Sequence, residues 1–260
     1  MTARVICALF LFFLTLTSYG QPGGHSIIIP ANTIRINSVD TISNNKIKML
    51  ADEHLTDDQG VNKNYTQLTW QGLFYHGKNY YVKPVKIRLK RERSATDEDT
   101  GRMTGWRLTC NNKDHFLMLI SGCDFIVNGP VKVALQSVAL KRAGQKMQFN
   151  YNGNNYTLYT TGRQSGEKVY NYKLFLLANV KGHYYNQLLY QSPDGYAMNA
   201  GGDMAENIEI ELAGDIDGDK IPDFIISGSG YAFGNYQLFL SKPAGNKAIL
   251  KPVAEYDVTN

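Results

Sequence analysis

Alternating apolar runs closed by glycine and asparagine turns restrict this chain more than any other feature. Val169 to Val180, a turn at Lys181-Gly182 and His183 to Tyr190 read as two long strands folded back on each other. Met147, Phe149 and Tyr151 alternate into Asn152-Gly153-Asn154-Asn155, and Tyr156 to Thr160 returns. Asn-Gly is a hairpin signal because both residues tolerate positive φ. Trp70 to Phe74, a turn at His76-Gly77-Lys78-Asn79 and Tyr80 to Lys90 give a third hairpin, with Val85, Ile87 and Leu89 on one side and Lys86, Arg88 and Lys90 on the other. No helical stripe of useful length interrupts the series, and 17 Tyr, 11 Phe and 24 Gly suit strands and tight turns. The expected fold is all-β, with antiparallel hairpins forming a sandwich or meander.

Further strands are expected at Ser26 to Asn37, Trp106 to Cys110, His115 to Ile120, Phe125 to Val127 and Val131 to Leu135. Ile47 to Leu50 suits a strand or a short helix. Late in the chain they are expected at Ile208 to Leu212, Phe224 to Ser227, Tyr236 to Leu240 and Ala248 to Tyr256. Asp52 to Asn64 is polar and without period, a linker in which Asp57 and Asp58 look like solvated charge. Gln191 to Asn207 reads as a long loop or junction. The organisation that follows is a leader over 1–20, N-terminal strands and a linker over 21–69, an antiparallel β domain over 70–190 and a C-terminal β region over 191–260, which can belong to the same domain. Asn155-Tyr-Thr-Leu-Tyr159, Asn171-Tyr-Lys-Leu-Phe175 and Asn235-Tyr-Gln-Leu-Phe239 resemble one another at irregular spacing, so no solenoid or propeller period exists.

The leader follows from Arg4, the apolar run Val5 to Leu16 and the small residues before a cut at Gln21. That run is shorter than the roughly 20 residues of a membrane span, and Cys7 lies inside it, away from a lipidation position. The protein is therefore expected to be secreted or periplasmic, with no transmembrane segment after processing. Cys110 and Cys123 then remain; they either close a disulfide or stay reduced and partly buried. With 27 basic and 23 acidic residues the balance of charge favours no class of partner. The one dense basic stretch, Lys83 to Arg93, alternates with aliphatics as a protected edge strand does. It lacks aromatics arranged for base stacking, so nucleic acid is not an expected partner.

The chemistry concentrates in Asp215-Ile-Asp217-Gly218-Asp219-Lys220-Ile221-Pro222-Asp223. Aspartates at relative positions 1, 3, 5 and 9 of one loop repel by roughly 3 kcal/mol per pair at ~5 Å and an effective dielectric of ~20. A divalent cation removes that repulsion. Calcium suits it, being hard, rich in oxygen ligands and tolerant of irregular geometry. The expected ligands are the carboxylates of Asp215, Asp217, Asp219 and Asp223 and the main-chain carbonyl of Ile221, with Gly218 letting the chain wrap.

This loop, with the pattern D-x-D-G-D-x-x-x-D, Gly214 before it and Phe224-Ile225-Ile226 after it, resembles the calcium loops of FG-GAP and VCBS-type repeats and, more distantly, EF-hand and dockerin loops. The Leu238 to Ser241 strand that follows is similar to the C-terminal part of secreted bacterial β proteins. The resemblance covers about 30 residues and implies an ion that braces a β-hairpin. Lys220 stands where glycine is preferred, and Ile226 replaces the bidentate glutamate of a helical EF-hand. Phe233-Gly234 is only a fragment of the FG-GAP signature, which argues against a multi-bladed propeller.

No active site is legible. The five histidines show no zinc spacing and G-x-S-x-G is absent. Asn64-Tyr65-Thr66 and Asn155-Tyr156-Thr157 match the glycosylation sequon. Glu209 and Glu211 would serve a glycosidase only if aimed into a cleft; their alternation with Ile208, Ile210 and Leu212 suits an exposed strand face. The expected function is a calcium-stabilised, non-catalytic binding module for a protein or glycan, the alternative being a carboxylate-dependent hydrolase acting on glycans.

Overall fold

The computed structural model describes residues 27–37, 46–94, 102–192, 197–199, 207–230 and 233–259. The leader, most of the charged connection after Arg93 and most of the 191–207 segment lie outside them. Among the described residues no helix is long and apolar enough to cross a membrane.

Strands β1 (Ile34–Ile36), β2 (Lys48–Leu50) and β3 (His54–Thr56) are short. β4 (Trp70–His76) and β5 (Asn79–Val85) make the expected hairpin, and β6 (Ile87–Glu92) follows after one residue. β7 (Gly105–Cys110) and β8 (His115–Ser121) come next, then β9 (Gly129–Val131) and β10 (Val133–Ala139), again one residue apart. β11 (Lys146–Tyr151), β12 (Asn154–Ser165), β13 (Lys168–Val180) and β14 (His183–Gln191) form a meander that β15 (Ala197–Asn199) joins by pairing with β13. β16 (Asn207–Gly214), β17 (Asp223–Gly230), β18 (Phe233–Leu240) and β19 (Lys251–Thr259) complete the chain.

These strands form four sheets and no closed barrel. The front sheet has the order β2-β8-β4-β5-β9, the outer ribbon β3-β7-β6, the central sheet β10-β16-β17-β18-β19 and the back sheet β1-β14-β13-β12-β11. All pairings are antiparallel except β1 with β14, where Ile34 to Ile36 run parallel to Tyr185 to Gln187.

The central sheet is buried on both faces. Leu212, Ile225, Leu238 and Leu240 join Trp70, Leu73, Phe74 and Met118 of the front sheet in one core. Ile210, Phe224, Ile226 and Phe239 join Tyr156, Leu158, Tyr172 and Leu176 of the back sheet in another. A strand packed on both sides shows continuous apolar sequence, as Phe224-Ile225-Ile226 and Leu238-Phe239-Leu240 do, because successive side chains point to opposite faces. Each such side chain contributes roughly 1.5–3 kcal/mol by leaving water.

Several expectations change, each for a local reason. The run Tyr80 to Lys90 keeps one alternation, but Lys86 gives its backbone to Asn111: Asn111 Oδ1 accepts from Lys86 N at 3.0 Å and Asn111 N donates to Lys86 O at 3.2 Å. The strand therefore leaves the front sheet and continues in the outer ribbon, a switch that periodicity does not register. Likewise Ile27 to Ile29 form no strand, because Thr33 N and Oγ1 both donate to Pro30 O and turn the chain first. Phe125 to Val127 is a loop. Asp52 to Asn64 is no free linker: it contains β3 and a 3-10 turn (Asp57–Gln59), with Leu55 and Val61 buried singly between polar neighbours. Asp57 is no solvated charge either, since its carboxylate accepts from Arg91 at 2.7 and 2.8 Å and from Trp106 Nε1 at 2.7 Å. The side chain of Asp58 is outside the described set.

Leu212 does not share a face with Ile208 and Ile210. A β-bulge at Glu211 lets Ile210 face Ile226 while Leu212 faces Ile225, moving Leu212 to the front core. Cys110 and Cys123 are free. Cys110 ends β7 and Cys123 follows β8, and these strands belong to different sheets, so no shared ladder aligns the two thiols.

Candidate metal centre

The loop between β16 and β17 is built by its own aspartates. Asp215 Oδ1 accepts from Gly218 N at 2.8 Å and Oδ2 from Lys220 N at 3.2 Å. Asp217 Oδ1 accepts from Asp219 N at 3.3 Å, and Asp219 Oδ1 from Ile221 N at 2.8 Å. Each carboxylate thus caps amides further along the chain, the bonding that makes Asp a turn former. The wrap requires positive φ at two positions, Gly218 at 80° and Lys220 at 71°. The sixth position does adopt the left-handed conformation that glycine takes most easily.

Asp223 closes the loop from the first residue of β17. Its Oδ2 accepts from Ile216 N at 2.7 Å and Asp217 N at 3.0 Å, and its Oδ1 from Ser241 N at 2.8 Å and Ser241 Oγ at 3.1 Å. A carboxylate offers about four lone-pair positions, and in this geometry Asp223 has used them all. Asp217 Oδ2 accepts from Lys242 N at 2.8 Å, so the residues after β18 hold the loop from a second side.

Ligand atoms of Asp215, Asp217 and Asp223 lie within 4.8 Å of one another, and these three residues could hold a metal ion. Asp219 stands outside that group, and Ile221 contributes its N–H to Asp219. Asp217 and Asp223 are 0 % exposed. Among the described residues no lysine or arginine is paired with either carboxylate. Burial, then Asp219 and Asp215, raise the Asp217 carboxyl to about 6 against the pull of the Lys242 amide. Burial and the Asp217 charge hold Asp223 well above the usual carboxylate range, although three backbone amides oppose the shift. The pair must therefore be neutralised by protons or by a cation. The donor set is all oxygen, which suits a hard ion.

Segments remote in sequence fasten the loop. Val127 N donates to Ile216 O at 3.1 Å, Asp215 N donates to Lys132 O at 3.1 Å and Asn152 Nδ2 donates to Lys220 O at 2.8 Å. Tyr151 Oη also donates to Lys132 O, at 2.9 Å, and burial, with the Asp215 charge, pushes that phenol up to about 12. None of Val127, Lys132, Asn152 or Lys242 carries a sequence signal for this role. Ser241 had one, in the Leu-Phe-Leu-Ser run.

The other candidates disperse. His76 Nδ1 lies 3.4 Å from Asp114, His115 stacks on Tyr75, and His183 is exposed. Arg91 lies over Trp106 at 3.8 Å, while Lys83, Lys86, Arg88, Lys90 and Arg93 are exposed; β6 is an edge strand, as its lysines suggested. Glu211 Oε1 accepts from Ser227 Oγ at 2.6 Å, on a different stretch of the central sheet from the aspartate loop. No protein-family model matches the chain, and neither a curated protein nor a solved structure matches it significantly.

Proposed function

We propose that the protein is an exported, calcium-stabilised β module that binds a protein or glycan without transforming it. One observation carries the metal half of this reading: two wholly buried carboxylates, Asp217 and Asp223, share a cluster with Asp215, and among the described residues no cationic side chain forms an ion pair with them, the Lys242 ammonium reaching only the Asp217 main-chain carbonyl at 3.5 Å. Asp215 and Asp217 keep lone pairs free for an ion, Asp219 stands next to them, and Asp223 anchors the loop. The irregular oxygen-rich loop favours calcium over magnesium, which demands near-octahedral geometry. The leader supports export, where calcium is millimolar.

The ion's role is to brace. The loop is bonded to the segment before β9, to the residue between β9 and β10, to the β11–β12 turn and to the segment after β18, so ordering it secures elements of all three large sheets. With a Kd of about 10⁻⁴ to 10⁻³ M, 1 mM calcium would add roughly 0.4–1.4 kcal/mol. Melting the protein in 1 mM calcium, 1 mM magnesium and EDTA, with elemental analysis of the purified chain, tests this. A calcium-specific rise in Tm is expected. An unchanged Tm and no bound metal would overturn the metal assignment.

A further inference from the structure

Glu209 and Glu211 are the strongest feature left unexplained by the metal loop, and the strand registers show what surrounds them. Glu209 pairs with Ser227, Ser227 with Tyr236 and Tyr236 with Tyr256, so these four form one row across the central sheet on a single face. Glu211 lies two residues on from Glu209 on the same face, where the Ser227 hydroxyl binds it. On the front sheet His115 pairs with Tyr75 and Tyr75 with Tyr80, with ring centroids 5.9 and 5.7 Å apart.

The two rows meet. Tyr80 pairs with Val131, whose side chain packs against Gly214 of β16, and β2, which Asp52 follows, lies against β19. In keeping with this, Glu211 raises the Tyr80 phenol after burial and Tyr75, and Glu211, Asp52 and Glu209 raise that of Tyr236 after burial. Asp52, Glu209, Glu211, Tyr75, Tyr80 and Tyr236 are all half-buried, so they line a rim between sheets rather than an open surface. No lysine, arginine or histidine side chain among the described residues is paired with the three carboxylates, although Asp52 Oδ1 accepts from the His54 main-chain amide at 2.9 Å. Tyr256, 6 % exposed, carries a hydroxyl without a well-formed hydrogen bond in the same row. Among the described residues the three carboxylates are not gathered within metal-ligating distance of one another, which suits separate cationic groups. Ammonium and guanidinium groups fit, because they take carboxylate hydrogen bonds at one end and lie on tyrosine faces along their stems. Four strands across a sheet span about 14 Å, which is several residues of extended chain rather than one amine.

We infer that the rim formed by Asp52, Glu209, Glu211, Tyr80 and Tyr236 binds lysine or arginine side chains of a basic peptide. The test is calorimetric titration of the chain from Gln21 onward, at low salt, with acetylated and amidated tetralysine and tetra-arginine. The same tetralysine with its side chains acetylated, and chitotetraose, are the comparison ligands. A Kd below about 1 mM for the basic peptides is expected, weakened roughly tenfold or more by side-chain acetylation and by Glu209→Gln/Glu211→Gln. Glu211→Gln keeps an acceptor for the Ser227 hydroxyl, and Asp52→Asn provides a second variant remote from that bond. Glu255→Gln, next to Tyr256 and therefore on the opposite face, should leave binding unchanged. Failure of the basic peptides to bind, binding indifferent to both rim variants, or binding of chitotetraose in their place would overturn the inference. Repeating the titration in EDTA separates it from the metal assignment, since the rim uses none of the loop's carboxylates.

Discussion

Glu209 and Glu211 sit on β16 and Asp215 directly follows it, yet the chain handles the two groups of acids in opposite ways. In the loop, backbone amides turn toward the carboxylates: Asp223 alone accepts four hydrogen bonds and is wholly buried. At the rim, Glu211 has one such bond, from a hydroxyl, and remains half-buried. The first arrangement makes acids part of the framework. The second leaves them available to a partner, because little inside the protein satisfies them.

The sharpest way to break this contrast is truncation. Asp223→Ala leaves the amides of Ile216, Asp217 and Ser241 and the Ser241 hydroxyl without their acceptor, and buried donors cost about 1–3 kcal/mol each when stranded. A loss of about 4 kcal/mol or more in urea unfolding is expected, with no rescue by calcium. Glu211→Ala strands only the Ser227 hydroxyl and should cost about 1 kcal/mol. Comparable losses for the two would mean that the loop is no more a brace than the rim.

The loop was legible in sequence because its chemistry is local. Most of its bonds join residues no more than seven apart, so spacing carries the wrap, while the ties of Asp223 to Ser241 and of Asp217 to Lys242 come from the fold. The rim was legible only in part: alternation puts Glu209 and Glu211 on one face of β16, but Asp52, Tyr80 and Tyr236 come from three other segments that only the tertiary fold brings near them. The same division runs through the fold. The hairpins at Asn152-Gly153 and Lys181-Gly182, with φ of 47° and 79° and of 52° and 82°, announce themselves by turn residues. The sheet switches at Lys86 and Lys132 depend on tertiary partners such as Asn111 and Asp215, and β3 hides its one buried residue, Leu55, among polar neighbours.

Acidity separates the two regions next. Both Asp217, raised to about 6 from the ordinary 3.8, and Asp223 hold protons more tightly folded than unfolded. The folded state then binds more protons above about pH 4, so without metal its stability should fall as pH rises from about 4 through 6, where Asp217 titrates, with Asp223 adding to the fall in the same direction. Saturating calcium should remove that fall, making the gain in Tm from calcium larger at pH 7 than at pH 4.5. Equal gains at both would disconnect the ion from these carboxylates. Glu211 is also raised by burial, so its contribution has the same sign, lost as pH climbs above its unfolded value. Because the group is half-exposed, solvent screening limits the effect, and Glu211→Gln should raise Tm at pH 7 by no more than about 2–4 °C, with no change near pH 3.

The smallest effect is expected at Lys220, where it separates backbone conformation from charge. At φ 71° a lysine is strained by about 1 kcal/mol, while glycine relieves the strain but loses more chain entropy on folding. Lys220→Gly should therefore change metal-free stability by only about 0.5 kcal/mol in either direction. Its carbonyl still accepts from Asn152, so the tie to the β11–β12 turn survives. The substitution also removes an exposed cation beside Asp215 and Asp217, which repels an incoming ion. Calcium should consequently bind a few-fold more tightly to Lys220→Gly, the gain shrinking as salt screens the lysine. Lys220→Asn, which keeps a side chain that tolerates positive φ, should reproduce the gain if charge is responsible and lose it if backbone freedom is. Weaker calcium binding in both variants would show that the lysine holds the loop in its binding shape, and the loop would then depend on a side chain as the rim does.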